Sequence, residues 1–177
     1  MTMDQSLDKP FAELAERVEG RYWGKYRGLV EDVDDREKLG RIIAKVPSVY
    51  GDELSPPAWP VVPFAGPGYG ALMLPKKGDG VWIEFENGDP SYPLWTGCWW
   101  ALNELPTPAG PDQRVIITPN ELKVVLDDAG RKIQLLHTSK GEITLSDSSI
   151  TIRFGQTKVV LDDSGVSVND GAFKVTK

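Results

Sequence analysis

Short runs of alternating hydrophobic and polar residues characterise the middle of the chain. In residues 81–86, Val81, Ile83 and Phe85 fall on one face of a predicted strand, because strand side chains alternate with period two. Asn87-Gly88 follows at once, and both residue types tolerate the positive φ of a tight turn. This pattern predicts a small, tightly turned β-barrel.

Further strands are predicted on both sides of this one. Tyr92–Trp100 is the last strand of the barrel, and Tyr22–Val33 and Leu39–Pro47 are the first two. The charged residues 34–38 between the first two are interpreted as a solvated hairpin tip. Before them, Asp8–Gly20 has apolar residues at helical spacing. We expect this helix to pack on the barrel, with a lid or a docking helix for a partner ring as the alternative.

Two segments ahead of the alternating strand are less regular. Val49–Pro60 is rich in proline and aromatic residues, and a loop of this length suits either a protein contact or a plug over the open end of the barrel. Both alternatives stay open. A short apolar strand is then predicted to begin at Val61 and to end in a Pro/Gly corner.

The composition changes after the barrel. Residues 102–114 contain Pro, Gly, Thr and Ala and are predicted to be a linker. Residues 115–177 read as a series of short strands separated by small turns. The predicted organisation is therefore a helical segment 1–20, a barrel 21–101, a linker 102–114 and a strand-rich region 115–177.

The strand-rich region contains an internal repeat. Lys123–Gly130 (KVVLDDAG) recurs thirty-five residues later as Lys158–Gly165 (KVVLDDSG). Repeated short strands with small turns are typical of a stacked β-solenoid or β-prism. Each repeat copy ends in two aspartates, one small residue and a glycine. The alternating carboxylates and the closing Glu of a calcium-binding loop are absent, so no calcium site is predicted.

A single copy of this region would leave its apolar face wet and its edges unpaired. Three copies wound about one axis would bury that face, and each inward Ile or Leu contributes ~1.5–3 kcal/mol when fully buried. The region is therefore predicted to be an intertwined trimeric β-helix or β-prism. The predicted trimer core consists of Leu126, Ile133, Leu135, Ile143, Leu145, Ile150, Ile152, Phe154, Leu161, Val166 and Val168.

Composition and charge narrow the possible partners. The 177 residues carry a net charge of −6, and an acidic chain is a poor nucleic-acid binder because phosphate neutralisation needs clustered Lys and Arg. The clustered tryptophans are therefore expected to fill the barrel or a subunit contact and not to stack bases. They are Trp82, Trp95, Trp99 and Trp100. The single cysteine, Cys98, is expected to be a buried small side chain, which suits a reducing cytosol. We see no signal peptide and no apolar run of ~20 residues.

Candidate catalytic and metal-binding residues are scarce, and neither a cofactor nor an enzymatic activity is predicted. The one histidine, His137, has no partner for a catalytic triad or a His pair. It shares strand parity with Ile133 and Leu135, so three copies could form an axial ring, but we expect no ligand there. A glycan hydrolase would need two positioned carboxylates in a cleft, whereas Glu84 and Glu86 are expected on the outer face of the barrel.

The central motif resembles a known family. The order P-x-x-G-D-x-V-x-x-x-F-x-x-G-D-x-x-x-P-x-W-x-G is similar to the OB-fold domain of contractile-tail spikes, which include phage baseplate assembly protein V and the spikes of type VI secretion and extracellular contractile injection systems. The first hairpin, with Tyr26–Val30 and Leu39–Ile42, also resembles that domain. The motif falls on Pro75, Gly78, Asp79, Val81, Phe85, Gly88, Asp89, Pro93, Trp95 and Gly97.

The resemblance implies an all-β protein with an N-terminal OB-fold barrel, a short N-terminal helix and a trimeric needle. It implies a structural role as the central, membrane-piercing spike of a phage tail or contractile injection system, made in the cytoplasm and assembled into the baseplate. Expected partners are two further copies, a hub protein, a PAAR-repeat tip protein at Phe173, Val175 and Lys177, and the target membrane during injection. The alternative is an OB-fold carbohydrate- or single-strand-binding module on a trimeric β stalk.

Overall fold

The structure is a computed structural model that describes residues 18–176. It divides into two compact units, Met1–Asn103 and Glu104–Lys177, which are described separately. The helix predicted for residues 8–20 falls mainly outside the described residues. Within them, no helix is long and apolar enough to span a membrane.

A five-stranded sheet forms the first unit, in the order β2-β1-β6-β7-β3. Its central pairs β1–β6 and β6–β7 are antiparallel, and the short β3 runs parallel to β7. A separate two-stranded hairpin, β4–β5, lies between β3 and β6 in sequence. The strands are β1 Tyr26–Asp32, β2 Ile43–Lys45, β3 Trp59–Pro60, β4 Ala65–Gly66, β5 Tyr69–Gly70, β6 Gly80–Phe85 and β7 Pro93–Trp99, and the one-turn helix α1 is Pro47–Tyr50.

The core of this unit lies on the inner face of the curved sheet, and the period-two pattern predicts it correctly. Val81 and Ile83 of β6 are fully buried, and Phe85 is 7% exposed. Tyr22, Tyr26 and Tyr50 pack their rings around Phe85, with centroids 5.6–6.1 Å apart. The hydroxyl of Tyr50 donates to Pro90 O at 2.7 Å, and burial raises the pKa of Tyr50 to about 12.

Two predictions for the strands of the first unit are wrong. No strand begins at Val61, because pairing with β7 ends at Pro60 and the chain continues as an open loop with the small β4–β5 hairpin. Cys98 is exposed and not buried. Cys98 is in register with the fully buried Val81, but it is the last residue but one of β7, and its side chain is exposed there.

The second unit is one antiparallel meander of eight strands, in the order β15-β14-β13-β12-β11-β10-β9-β8. Each strand pairs only with its sequence neighbours. The series of short strands predicted for residues 115–177 matches these strands, and the predicted and observed boundaries differ by at most two residues. The strands are β8 Gln113–Ile117, β9 Lys123–Asp127, β10 Lys132–His137, β11 Gly141–Leu145, β12 Ser149–Phe154, β13 Thr157–Asp162, β14 Gly165–Val168 and β15 Phe173–Thr176.

Burial differs sharply between the two units. Among the described residues, nine of the ten buried hydrophobic side chains belong to the first unit, and only Val125 belongs to the second. A single layer of strands cannot shield either of its faces, so the second unit has no closed core of its own within one chain.

Candidate functional site

The first Gly-Asp pair of the motif builds the turn that leads into β6. Gly78 has φ +92° and donates its amide to Val30 O at 2.8 Å. The Asp79 carboxylate accepts the Lys76 amide at 2.7 Å, while the Asp79 carbonyl accepts from Val30 N at 3.0 Å. Glycine is needed here for the left-handed backbone and aspartate for the turn amide, so the pair ties β1 to β6.

The second Gly-Asp pair repeats this design after β6. Asn87 and Gly88 both have positive φ, at 50° and 72°, which confirms the predicted turn. The Asp89 carboxylate accepts the Ser91 amide at 3.0 Å and the Arg21 guanidinium at 2.9 Å. The Ser91 amide and Arg21 hold the pKa of Asp89 below its usual range.

The remaining motif residues pack β7 against the barrel core. Pro93 is fully buried, and Trp95 is 5% exposed with its indole N–H donating to Gly40 O at 3.1 Å. Trp99 covers Gly80, where an added Cβ would lie 2.6 Å from the indole ring. The motif residues of the barrel are therefore turn and packing determinants, and within the described structure they do not converge on a ligand pocket.

An aromatic stack occupies the outer face of the barrel. The Arg27 guanidinium carbon lies 5.5 Å from the Trp82 ring and 5.0 Å from the Trp99 ring, within cation–π range. Glu84, on the same face, forms an ion pair with Lys25. The two aromatic faces that could stack a base or sugar thus already contact a side chain of the same chain.

The charged loop between β1 and β2 is more ordered than the sequence suggested. Asp35, with a side chain only 8% exposed, pairs with Arg41 at 2.8 Å and accepts the Leu39 amide at 2.8 Å. The Arg41 guanidinium, followed by these backbone amides, holds the pKa of Asp35 far below its usual range. The expectation of a wholly solvated tip is wrong for Asp35, because an aspartate six residues before an arginine can close the loop through that arginine.

Apolar residues of the second unit form a continuous surface of two rows, which we call the apolar face. One strand register aligns Leu126, Ile133, Leu145, Ile150, Leu161, Val166 and Val175 across neighbouring strands. The other aligns Ile116, Val124, Leu135, Ile143, Ile152, Val159, Val168 and Phe173. Most of these side chains are about 40–60% exposed, an unusually large apolar patch for a soluble surface.

The opposite face of the same sheet is polar along its centre. Gln134 Nε2 donates to Thr144 Oγ1 at 3.3 Å, and Thr144 Oγ1 donates to Glu142 at 2.6 Å. Thr151 follows in register with Thr144, and Ser167 pairs with Val160 further along. Val115, Val125 and Val160 belong to the same row, and Val125 is buried. This face is therefore the more polar of the two, whereas the other is almost wholly apolar and requires a covering partner.

His137 lies at the margin of the apolar face. It is in register with Gly141, which in turn faces Phe154, and its Nδ1 lies 3.3 Å from Thr138 Oγ1. Among the described residues, no group of three or more His, Cys, Asp or Glu side chains could hold a metal ion within one chain. That His137 binds no ligand in a trimer stays a prediction.

The register adds residues that the sequence analysis missed. Every predicted trimer-core residue lies on or beside the apolar face, with Phe154 at its margin. Ile116, Val124 and Val159 belong to it too, and strict period-two counting along their strands would have found them. Phe173 and Val175, which are predicted to contact the tip protein, continue the two rows, and their contact with a tip protein stays a prediction. Lys177 lies outside the described residues.

Comparison with known families agrees with this geometry. Residues 26–100 match the type VI secretion system/phage-baseplate injector OB domain. Residues 113–174 match the phage baseplate V C-terminal trimerisation domain. The chain belongs to the contractile-tail spike family. The comparison with curated proteins found no match to this chain.

Membership explains why the two units differ. The OB domain of this spike carries its own core, and the trimerisation domain carries the apolar face. The spike is thus an all-β baseplate protein of a phage tail or type VI-like injector, built from one self-contained barrel and one domain that forms trimers.

Proposed function

We propose that this protein is the non-enzymatic central needle of a contractile injection machine. Three chains associate through the apolar face, and the resulting shaft is driven through an envelope when the sheath contracts. The observation that carries the proposal is the eight-stranded sheet, whose apolar face is about half exposed in one chain while its other face carries more polar side chains.

Three copies suit this surface because a closed prism buries all three apolar faces together. Ile133, Leu135 and Ile143 are 43–46% exposed in one chain, so closure removes a large apolar area from water at about 25 cal/mol per Å². Stiffness follows, since hydrogen-bonded strands along the whole shaft resist bending and compression.

The barrel is proposed to dock on a hub ring of the baseplate. An exposed apolar segment around the β4–β5 hairpin supports this: Phe64 is 57%, Tyr69 65% and Met73 69% exposed. Exposed apolar clusters of this kind mark protein–protein contacts. Family membership supports a hub as the partner.

A PAAR-type protein is proposed to cap the distal end. β15 is the outer strand of the meander, so one side of its backbone has no neighbouring strand among the described residues. Three such edges at the end of a trimer offer unpaired N–H and C=O groups to a capping protein. Phe173 and Val175 then contribute to the floor beneath the cap.

Sedimentation equilibrium of the full-length protein, followed by electron microscopy, tests this function. We expect a trimer at micromolar concentration and a slender rod attached to a wider base. A monomer under these conditions would contradict the proposal. Copurification with a PAAR-repeat protein and with a hub protein tests the two partners separately, and a glycan-release assay is expected to show no activity.

A further inference from the structure

Charge is distributed unequally between the two edges of the C-terminal sheet, where the strands turn. One edge, the acidic edge, carries six aspartates and three basic residues: Asp112, Asp127, Asp128, Asp147, Asp162 and Asp163 with Arg114, Arg131 and Lys132. The other, the basic edge, carries four basic and three acidic residues: Lys123, Lys140, Arg153 and Lys158 with Glu121, Glu142 and Asp170.

We propose that the acidic edge of one protomer packs against the basic edge of the next around the threefold axis, so that charge sets the direction in which the trimer closes. This inference rests on the proposed trimeric needle. It adds which charged residues meet where two protomers join, which neither the fold nor the apolar face specifies.

Symmetry requires two different edges to meet. In a closed cyclic trimer every interface is heterologous, so one surface of a protomer contacts another surface of its neighbour. Because each strand pairs only with its sequence neighbours, the meander turns lie alternately at the two edges of the sheet. If three sheets form the faces of a prism, each corner brings the acidic edge of one chain to the basic edge of the next.

The turns at a corner also alternate in height. Acidic-edge turns follow β9, β11 and β13, while basic-edge turns follow β8, β10, β12 and β14. Successive strands are about 4.8 Å apart, so each acidic turn comes to lie between two basic-edge turns of the neighbour. Lys140, in the turn after β10, is then flanked by Asp128 and Asp147 of the adjacent chain.

Most of the charges needed for these contacts have free hydrogen-bonding capacity in the single chain, although Asp128 already pairs with Arg114 through one carboxylate oxygen. Within the described residues, the side chains of Lys140 and Asp163 form no hydrogen bond or ion pair. Arg153 reaches Glu142 only at 4.0 Å. Asp147 pairs with Arg131 at 2.6 Å through one carboxylate oxygen, which leaves its other oxygen available to a neighbour.

A double-mutant cycle on Lys140 and Asp147 tests the proposal in the full-length protein. These residues lie at opposite ends of β11, a strand of five residues. Their separation within a chain is about 17 Å or more, at ~3.4 Å per residue. Screening at physiological salt acts over ~8 Å, so the two charges couple only if they meet between chains.

The variants are Lys140→Asp, Asp147→Lys and the double reversal, compared by the dissociation midpoint of the trimer on heating at one protein concentration. Each single reversal is expected to lower the midpoint by about 3–8 °C, and the double reversal to recover at least half of the summed loss. In 1 M salt, where screening acts over ~3 Å, the recovery should shrink.

The matched control pairs Lys140→Asp with Asp170→Lys, since both residues lie on the basic edge. Purely additive effects are expected for this pair. A trimer in which Lys140 and Asp147 are additive, or in which the control pair couples instead, overturns the edge assignment while leaving the needle intact. A wild-type monomer overturns the needle itself.

Zero-length carbodiimide cross-linking of the wild-type protein provides an independent measurement if a variant fails to fold. A mixture of isotopically light and heavy chains, assembled together, should give mixed-label peptides that join Lys140 to Asp147 or Asp128. Cross-linked trimers that lack these mixed-label products, or whose mixed-label peptides join one basic edge to another, contradict the proposal.

Discussion

Several single residues of the barrel have roles that only their contacts reveal. Ser55 is 5% exposed and holds two chain segments together: its Oγ accepts the Ala44 amide at 2.9 Å, while its own amide donates to Ala44 O at 2.9 Å. Ala44 is itself fully buried. The Ser55 hydroxyl thus accepts a backbone hydrogen bond from β2 that a neighbouring strand would otherwise accept.

Replacing Ser55 by alanine should therefore destabilise the barrel. The Ala44 amide would lose its acceptor in a buried site, at a cost of about 1–3 kcal/mol. Thermal unfolding followed by circular dichroism measures the loss. Ser48→Ala, at an exposed position of α1, is the matched control and should leave the midpoint unchanged; equal effects of both variants would contradict this role for Ser55.

Gly80 is a second residue whose size matters. A Cβ there would lie 2.6 Å from the Trp99 ring and 2.8 Å from its carbonyl oxygen. Gly80→Ala should displace the indole from Arg27 and cost about 1–3 kcal/mol through overpacking, visible as a changed tryptophan emission and a lower unfolding midpoint. Gly110→Ala, where the nearest atom lies at 3.4 Å, should be tolerated.

At the scale of elements, the loop between β1 and β2 is closed by the ion pair of Asp35 and Arg41. The pKa of Asp35 is lowered in the folded protein, chiefly by the Arg41 guanidinium. An aspartate in the unfolded chain titrates near pH ~3.9. Asp35 binds protons less readily when folded, so its stabilising effect is present above that pH and declines as the pH falls below it.

Asp35→Asn should consequently lower the unfolding midpoint at pH 6 and have a smaller effect near pH 2.5. The measurement is a series of thermal melts between pH 2 and pH 7 for the wild type and the variant. Asp34→Asn, at an exposed neighbouring position, is the control. A difference between wild type and Asp35→Asn that stays constant over the whole range would rule out this pH linkage.

At the scale of the whole molecule, the apolar face is proposed to determine the assembly state. Leu135 lies in the middle of this face and is 46% exposed in one chain. Leu135→Asp would place three carboxylates in the proposed interior, where an unpaired charge costs several kcal/mol. We expect the trimer to be lost at micromolar concentration, measured by light scattering after size exclusion.

The neighbouring Gln134 provides the control for this variant. It lies on the opposite, polar face, where its side chain donates to Thr144. Gln134→Asp should remain trimeric with a slightly lower melting midpoint. Trimers formed equally by both variants would contradict the assignment of the apolar face to the interior.

Much of the architecture follows from the sequence alone. Alternation at Val81, Ile83 and Phe85 determined the core of β6, and repeated short strands with small turns determined the eight-stranded meander, because both depend on local periodicity and turn chemistry. The ordered Gly, Asp, Pro and Trp residues of the barrel likewise pointed to the spike family, which the two domain matches confirm.

Only the tertiary structure decided which residues face each other across strands. The fold brought Asp35 to Arg41 and Arg27 to two tryptophans, and it left Cys98 exposed. These outcomes depend on loop closure and on pairing between strands, which bring together residues that are not neighbours in the sequence. Local patterns in the sequence do not show which of these residues come into contact. Only the positions of the side chains in the folded protein show that.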